Sequence, residues 1–230
     1  MIERFADLST PTVADACVRL GVPLRAAPAG VRAVVAGHRL AGRVLPVRHH
    51  GSVDVFLEAY AHAAPGDVLV VDNGGRTDEA CVGDLTALEA GTAGVAGLVV
   101  WGLHRDTPEL IEIGLPVFSY GSLPLGPTRL DERESATLTS ARFGAHLVTA
   151  DDLVVADDDG VLFLPAARAG EVLTTAEGIR RTERLQAHRI RAGETLRDQT
   201  AFADYLDRRA ADPAYTFRAH LRRVGGAIEE

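Results

Sequence analysis

The 230-residue sequence contains no lysine, and all 24 of its basic residues are arginine. Imine formation with a carbonyl substrate, pyridoxal phosphate chemistry and the Walker phosphate loop each need a lysine amine, so all three are closed to this chain. Only two cysteines occur, Cys17 and Cys81, far apart and outside any CxxC pair. That excludes a structural zinc site built on thiolates. Aromatic residues make up 5% of the chain against 47% hydrophobic residues in all, so a core must be assembled mainly from Ala, Val and Leu. Such a composition suits a packed α/β protein and not a disordered one. No apolar run approaches the roughly 18 residues that span a bilayer. Residues 1–7 lack the basic-then-apolar order of a signal peptide, so a cytoplasmic protein with no membrane partner is expected. Positive charge is in deficit as well: 32 acids against 24 arginines give a formal charge of −8, which disfavours nucleic acid as a partner.

What is present reads as alternating strands and helices. Ser9 ahead of Thr10-Pro11 offers a hydroxyl cap and a first-turn proline, and predicts a helix that ends near Gly21. β-like runs follow at 34–36 and 43–47. His49-His50-Gly51-Ser52 then reads as a loop leading into an amphipathic helix over about 53–63, with direct chemistry by the two histidines as the lesser alternative. From Pro65 to Tyr120 the order strand, glycine-rich turn, helix repeats, the mark of βα units on a largely buried sheet. Strands are predicted at 68–72, 97–101 and 115–118, with a helix over 78–89 and another opened by Thr107-Pro108-Glu109. Asp72, Arg105 and Asp106 fall in loops beyond strand carboxyl ends, where open α/β sheets bind ligands. The glycine-rich stretch 91–97 lacks GxGxxG spacing and follows a helix, so dinucleotide binding is not expected. Asp157-Asp158-Asp159-Gly160 reads as a hairpin turn, because an EF-hand loop alternates its acids and closes with a distant Glu. Beyond Ala166 the chain is helical and charged. A lone charged helix has little of its own to bury, so this tail is expected to pack across a neighbouring subunit.

Two short segments carry candidate chemistry. On the predicted 78–89 helix, Cys81, Val82, Leu85 and Leu88 share one face, with Asp84 at its edge. Asp84 is then either a solvated boundary residue or part of a site. Gly83 sharpens the choice. A glycine inside a helix costs about 1 kcal/mol relative to alanine, so either a helix starts here or a ligand approaches bare backbone amides. The second segment is Gly102-Leu103-His104-Arg105-Asp106-Thr107-Pro108. Arg105 and Asp106 make either a surface ion pair at a helix start or a site. In the second case Asp106 holds a hard divalent cation, Mg²⁺ or Mn²⁺, and Arg105 turns its planar fork to a carboxylate or a developing enolate. Mg²⁺ often takes only one or two protein carboxylates, so a single aspartate suffices. With lysine absent, a metal ion and arginine are the means left to hold electrons beside a carbonyl.

The run 66–72, Gly74, Gly83-Asp84-Leu85, Gly94, Gly97, and Gly102 with Arg105-Asp106 resemble the RraA-like family. So do the early stretch 8–16 and the late Gly160-Val161, and the resemblance covers about residues 5–190. That family includes class II 4-hydroxy-4-methyl-2-oxoglutarate aldolases and the RraA regulators of ribonuclease E. The resemblance implies a swivelling β/β/α fold, an α/β sandwich over residues 1–190, with a helical C-terminal extension over 191–230. It implies a homotrimer or homohexamer with sites between subunits. It implies further that Asp106 binds Mg²⁺ directly or through water, and that Arg105 contacts the pyruvate part of a 2-oxo acid substrate. Gly83, Asp84 and Leu85 would offer backbone amides to the substrate carboxylate, with Arg105 and Asp84 as the catalytic residues. The implied activity is metal-dependent cleavage of 4-hydroxy-2-oxo acids to pyruvate through an enolate, with oxaloacetate decarboxylation as a side activity. The family also contains non-catalytic regulators, and the pair Arg105-Asp106 does not separate the two kinds. In the aldolases an acid from a neighbour's C-terminal part completes the site, and Glu183, Glu229 and Glu230 are the candidates here. His104 stands where a small or apolar residue is expected and is open to an acid–base role.

Overall fold

The computed structural model describes residues 1–225. The chain forms two compact units, residues 1–173 and 174 onward. The sequence reading placed the boundary at 190/191 instead, near the end of a long helix that the structural division cuts early.

Helix α1 (Thr10–Leu20) is capped by Ser9, whose Oγ accepts from the Thr12 N–H, and it ends at Gly21 with φ 61. Two-residue strands β1 (Arg25–Ala26) and β2 (Arg32–Ala33) precede β3 (Leu40–Arg48). The strand expected at 34–36 does not form. The Val34 N–H still reaches the Val117 carbonyl at 2.8 Å, but Gly37 at φ 85 turns the chain and donates its N–H to the Asp158 carboxylate. Helix α2 (Asp54–Ala61), β4 (Val68–Asp72), β5 (Ala80–Val82), α3 (Asp84–Thr92), β6 (Gly97–Trp101), β7 (Leu103–His104), α4 (Thr107–Ile113) and β8 (Val117–Ser119) follow. The first unit then closes with β9 (Ser140–Phe143), β10 (His146–Thr149), β11 (Asp152–Asp157), β12 (Gly160–Pro165) and the start of α5 (Ala169–Arg191).

Eight strands form one sheet in the order β1-β12-β11-β3-β4-β6-β8-β2, with β3, β4, β6 and β8 parallel and the outer pairings antiparallel. The sheet curls until β12 and β2, near its opposite ends, touch. One face carries Val47, Leu69, Val71, Leu98 and Val100 and is covered by α2, α3 and α4. The other carries Val44, Val68, Val70 and Val99 and closes on Phe143 and Phe163. Burial on both faces is why β4 and β6 are unbroken Val/Leu runs. Each such side chain contributes roughly 1.5–3 kcal/mol by leaving water.

The three consecutive acids do form a hairpin, with Asp157 paired to Gly160. Asp157 also accepts from the Thr10 N–H at 2.8 Å and its hydroxyl at 2.7 Å, fixing the start of α1. The helix expected over 78–89 is corrected: residues 80–82 are a buried strand paired to β7, and α3 begins only at Asp84, capped at Gly83. Its inward face is Thr86, Ala87 and Ala90, while Leu85 and Leu88 are exposed. Small residues let this helix lie close to the sheet.

In the second unit the charged tail is not a lone helix. Helices α6 (Leu196–Gln199), α7 (Phe202–Ala211) and α8 (Phe217–Val224) gather Phe202, Tyr205 and Phe217 around His220, whose Nε2–H donates to the Thr200 carbonyl at 2.8 Å. No helix among the described residues is long and apolar enough to cross a membrane.

Candidate active site

Adjacent residues on an extended chain point to opposite sides. Arg105 and Asp106 escape this because Asp106 adopts a left-handed backbone, φ 59 and ψ 44, between β7 and α4. Such a conformation costs a non-glycine residue on the order of 1–3 kcal/mol and is commonly retained at functional sites. Here it brings Asp106 Oδ2 within 3.4 Å of Arg105 Nε and 3.4 Å of the Asp84 N–H at the start of α3. Gly83 lies at φ −145, which any residue adopts, so space and not backbone demands glycine. A side-chain carbon there would collide with Asp106 Oδ2 and sit 3.2 Å from Arg105 Cγ. Gly126 has the same function on the other side, since a carbon there would lie 2.9 Å from Arg105 Nη1.

Gly83, Asp84, Leu85 and Arg105 line one cavity of about 260 Å³, together with His49, Val53, Cys81 and Pro127. Its amides already have partners. The Gly83 N–H donates to Thr86 Oγ1 at 3.0 Å, and the Leu85 N–H donates to the carboxylate of Asp84 at 2.7 Å. Asp84 therefore holds a carboxylate against the positive end of α3 in the way an incoming carboxylate would be held. Burial pushes the Cys81 thiol up, which keeps it protonated and unreactive.

Among the described residues no group of three or more His, Cys, Asp or Glu could enclose a metal ion, so a closed zinc-type site does not fit. A hard divalent cation does fit. Asp106 is partly exposed, its Oδ1 makes no hydrogen bond among the described residues, and Asp84 stands beside it. Such a cation fills its remaining positions with water and substrate oxygens.

The other expected residues lie elsewhere. Asp72 ends β4 but is buried away from Arg105, accepting from Arg142 Nε at 2.9 Å. His104 is buried with Nδ1 2.7 Å from Ser119 Oγ and Nε2 3.0 Å from Thr107 Oγ1. Both ring nitrogens are occupied by hydroxyl partners and burial lowers its pKa, so the ring fixes the start of α4 and has neither nitrogen free for a ligand. Glu183 is exposed on α5 in the second unit, and Glu229 and Glu230 lie outside the described residues.

A group centred on His49, which the sequence favoured as a loop residue without its Asn73, Glu79 and Arg129 partners, adjoins the cavity. His49 is buried, stacked on Phe56 at 5.3 Å, with Nδ1 2.9 Å from Asn73 Oδ1 and 3.9 Å from Glu79. Arg129 donates to Glu79 at 2.9 Å and to Asn73 Oδ1 at 3.0 Å, and pairs with Asp131. The segment that carries Arg129 also supplies Pro127 and Gly126, so this network positions the cavity wall.

Comparison with known proteins gives a consistent picture. The model of the RraA-like family, described as Aldolase/RraA, matches residues 10–163. A protein of Alcanivorax borkumensis named "Putative 4-hydroxy-4-methyl-2-oxoglutarate aldolase" is 33% identical over 103 residues, 44% of this chain and 62% of that protein. One of the same name from Halalkalibacterium halodurans is 32% identical over 121 residues, 53% of this chain and 57% of that protein. The matches thus span less than two thirds of these relatives' own lengths. The chain is also similar to the crystal structure of Streptomyces coelicolor RraAS2, described as an unusual member of the RNase ES inhibitor RraA protein family. The TM-score is 0.69 at 28% identity, covering 82% of this chain and 96% of that one.

Proposed function

This chain belongs to the RraA-like family, and we propose that it is a divalent-metal-dependent carbon–carbon lyase that cleaves 4-hydroxy-2-oxo acids to pyruvate. The observation that carries this reading is one cavity lined by Arg105 and the start of α3, with Asp106 Oδ2 held 3.4 Å from both Arg105 Nε and the Asp84 N–H behind that lining. Mg²⁺ or Mn²⁺ at Asp106, reached by Asp84 through water, would polarise the 2-oxo group as a Lewis acid. Arg105 faces the charge that grows on the C2 oxygen as the C3–C4 bond breaks. Asp84 swings off the Leu85 N–H, which then receives the substrate carboxylate at the positive end of α3. Gly83 contributes by having no side chain, which leaves Asp106 its place. Oxaloacetate decarboxylation passes through the same enolate and is expected as a side activity.

A homotrimer or homohexamer with sites between subunits belongs to this reading. It is supported by Val53 at the start of α2 and by Leu57, Leu85, Leu88 and Ile111 on α2, α3 and α4, which all stay exposed. Similarity to RraAS2 supports a second reading, a regulatory binding protein without turnover.

The test is pyruvate release from 4-hydroxy-2-oxo acids and oxaloacetate, with chelator and with added Mg²⁺, alongside metal binding by calorimetry. Chelation should abolish turnover and Mg²⁺ restore it. Arg105→Ala should keep its metal and lose about 100- to 1000-fold in kcat, whereas Asp106→Ala should lose the metal itself. Near wild-type turnover in both variants, or none in the native chain, would favour the regulatory reading.

A further inference from the structure

Cleavage of a 4-hydroxy-2-oxo acid needs a group to take the hydroxyl proton as the C3–C4 bond breaks. We propose that His49 is that acid–base group, acting through Nε2 on the cavity it shares with Arg105 and Asp84. This rests on the lyase reading of the site.

The protonation pattern of the ring follows from its neighbours. Asn73 Oδ1 accepts from Arg129 Nη2 at 3.0 Å, which identifies that atom as the carbonyl oxygen and not the amide nitrogen. His49 Nδ1, 2.9 Å from the same oxygen, must then carry the proton and donate it. In the neutral ring the lone pair is left on Nε2. Nε2 has no hydrogen-bond partner among the described residues and is not among the unpartnered atoms sealed from solvent. The side chain as a whole is 1% exposed and its ring is stacked on Phe56. His49 lines the cavity beside Val53, Cys81 and Arg105, and with Nδ1 committed to Asn73 the nitrogen left for use is Nε2.

The charged and polar groups around the ring suit the task. Burial lowers its pKa and Arg129 and His50 act in the same sense, while Asn73 and Glu79 oppose them. The net direction is below the ordinary imidazole value, so the ring is neutral and able to accept a proton at neutral pH. Once protonated, it faces Glu79 at 3.9 Å from Nδ1, which tempers the new charge. Asn73 orients the ring as the buried carboxylate does in a Ser-His-Asp arrangement.

The step balances without any co-reactant. Nε2 takes the hydroxyl proton, and the O–H electron pair becomes the second bond of the new C4 carbonyl. The C3–C4 pair moves to C3–C2 and the C2 carbonyl pair to its oxygen, giving the enolate that faces Arg105. The imidazolium returns the proton to C3, giving pyruvate.

Oxaloacetate separates this step from the rest, because its decarboxylation makes the same enolate with no hydroxyl proton to remove and water can protonate C3. The experiment measures both activities in the native chain, His49→Gln and Asn73→Asp, each as a pH profile. His49→Gln should lose about 100- to 10,000-fold in kcat for aldol cleavage, keep decarboxylation within a few fold, and lose the acidic limb of kcat/KM. Asn73→Asp sets a carboxylate against Nδ1, which should raise the ring's pKa and move that limb to higher pH. Equal loss of both activities in His49→Gln would mean a structural role, and retention of both would mean no role; either overturns the proposal. A native chain that releases no pyruvate from either substrate instead sinks the lyase reading on which it rests.

Discussion

Two cavities meet at the ring of His49, and they are built on opposite plans. One, of about 240 Å³, is lined by Arg48, Arg129, Arg142, Asp72, Asp131 and Glu134. Nearly every charge there is answered: Arg48 by Glu134 and Ser140, Arg129 by Glu79 and Asp131, Arg142 by Asp72 and Glu134. The other, about 260 Å³, holds one arginine, one carboxylate and a histidine among Val53, Ala80, Cys81 and Pro127. Its polar groups are makeshift in their pairing. Asp84 bonds the amide next to it, and Arg105 is paired only at 3.4 Å, with the strained Asp106 just outside the lining. A saturated network has little free energy left to give a ligand, whereas weakly engaged groups in an apolar wall can exchange their partners for one. Charge density alone would have picked the other cavity.

The sharpest way to break this contrast is to empty the network at its centre. Glu79 is buried and holds Arg129, so Glu79→Ala leaves a cation in the interior without its main partner. Removing one member of such a pair costs about 3–5 kcal/mol, which in a unit of this size lowers Tm on the order of 10 °C. Thermal unfolding followed by circular dichroism should show this, with metal affinity at Asp106 unchanged in the folded protein. A variant of native stability that has lost turnover would mean that the network takes part in chemistry and does not merely hold the wall.

A smaller effect is expected at Gly83, on the sparse side. Gly83→Ala keeps an allowed backbone but drives a methyl group into Asp106 Oδ2. Overpacking of this kind costs about 1–3 kcal/mol. Displacing the carboxylate should lower metal affinity and turnover by roughly 10- to 100-fold, the usual consequence of disturbing what orients a metal ligand. Calorimetry with Mg²⁺ decides: unchanged affinity would show that Asp106 does not need this place.

How much of this could be read from the sequence depends on how local each signal is. The cap at Ser9, the stop at Gly21, the Val/Leu runs of β4 and β6 and the turn at Asp159-Gly160 are all specified within a few residues, and each forms as read. Arg105 and Asp106 stood out as candidates because they are neighbours. Strand β5 was not: Ala80-Cys81-Val82 is too short to tell strand from helix by period, and its partner β7 lies more than twenty residues on. Leu85 and Leu88 misled the same reading, because large apolar residues were assumed to face inward and here the small ones do. The group His49, Asn73, Glu79 and Arg129 is spread over eighty residues with no motif. One signal did exist: Leu45 and Val47 alternate toward the helices along β3, and the same parity carries His49 into that layer.

The smallest effect is expected at the rim of the saturated cavity, and for that reason it tests the contrast most directly. Arg142 is half exposed and bonds the buried Asp72 through Nε at 2.9 Å. That hydrogen bond raises the arginine's pKa above its ordinary value, so the guanidinium is charged throughout the neutral range and as pH rises would lose its proton only in strong alkali. Arg142→Ala removes the guanidinium but does not strand Asp72, which still accepts from the backbone N–H of residue 142 at 3.0 Å and of Gly74 at 2.9 Å. The loss is therefore that of a partly exposed ion pair, about 1 kcal/mol or less. It should be independent of pH between about 6 and 9, a range well below the raised pKa of Arg142. Turnover should stay within about twofold of the native chain, as for a surface change away from the chemistry. Arg105→Ala, an arginine of similar exposure on the sparse cavity, is expected to leave stability alone and remove turnover. Chemical denaturation and pyruvate release measured on both variants give a two-by-two outcome. If Arg142→Ala loses turnover as Arg105→Ala should, the ionic cavity is part of the substrate site and the division between scaffold and chemistry drawn at His49 is wrong.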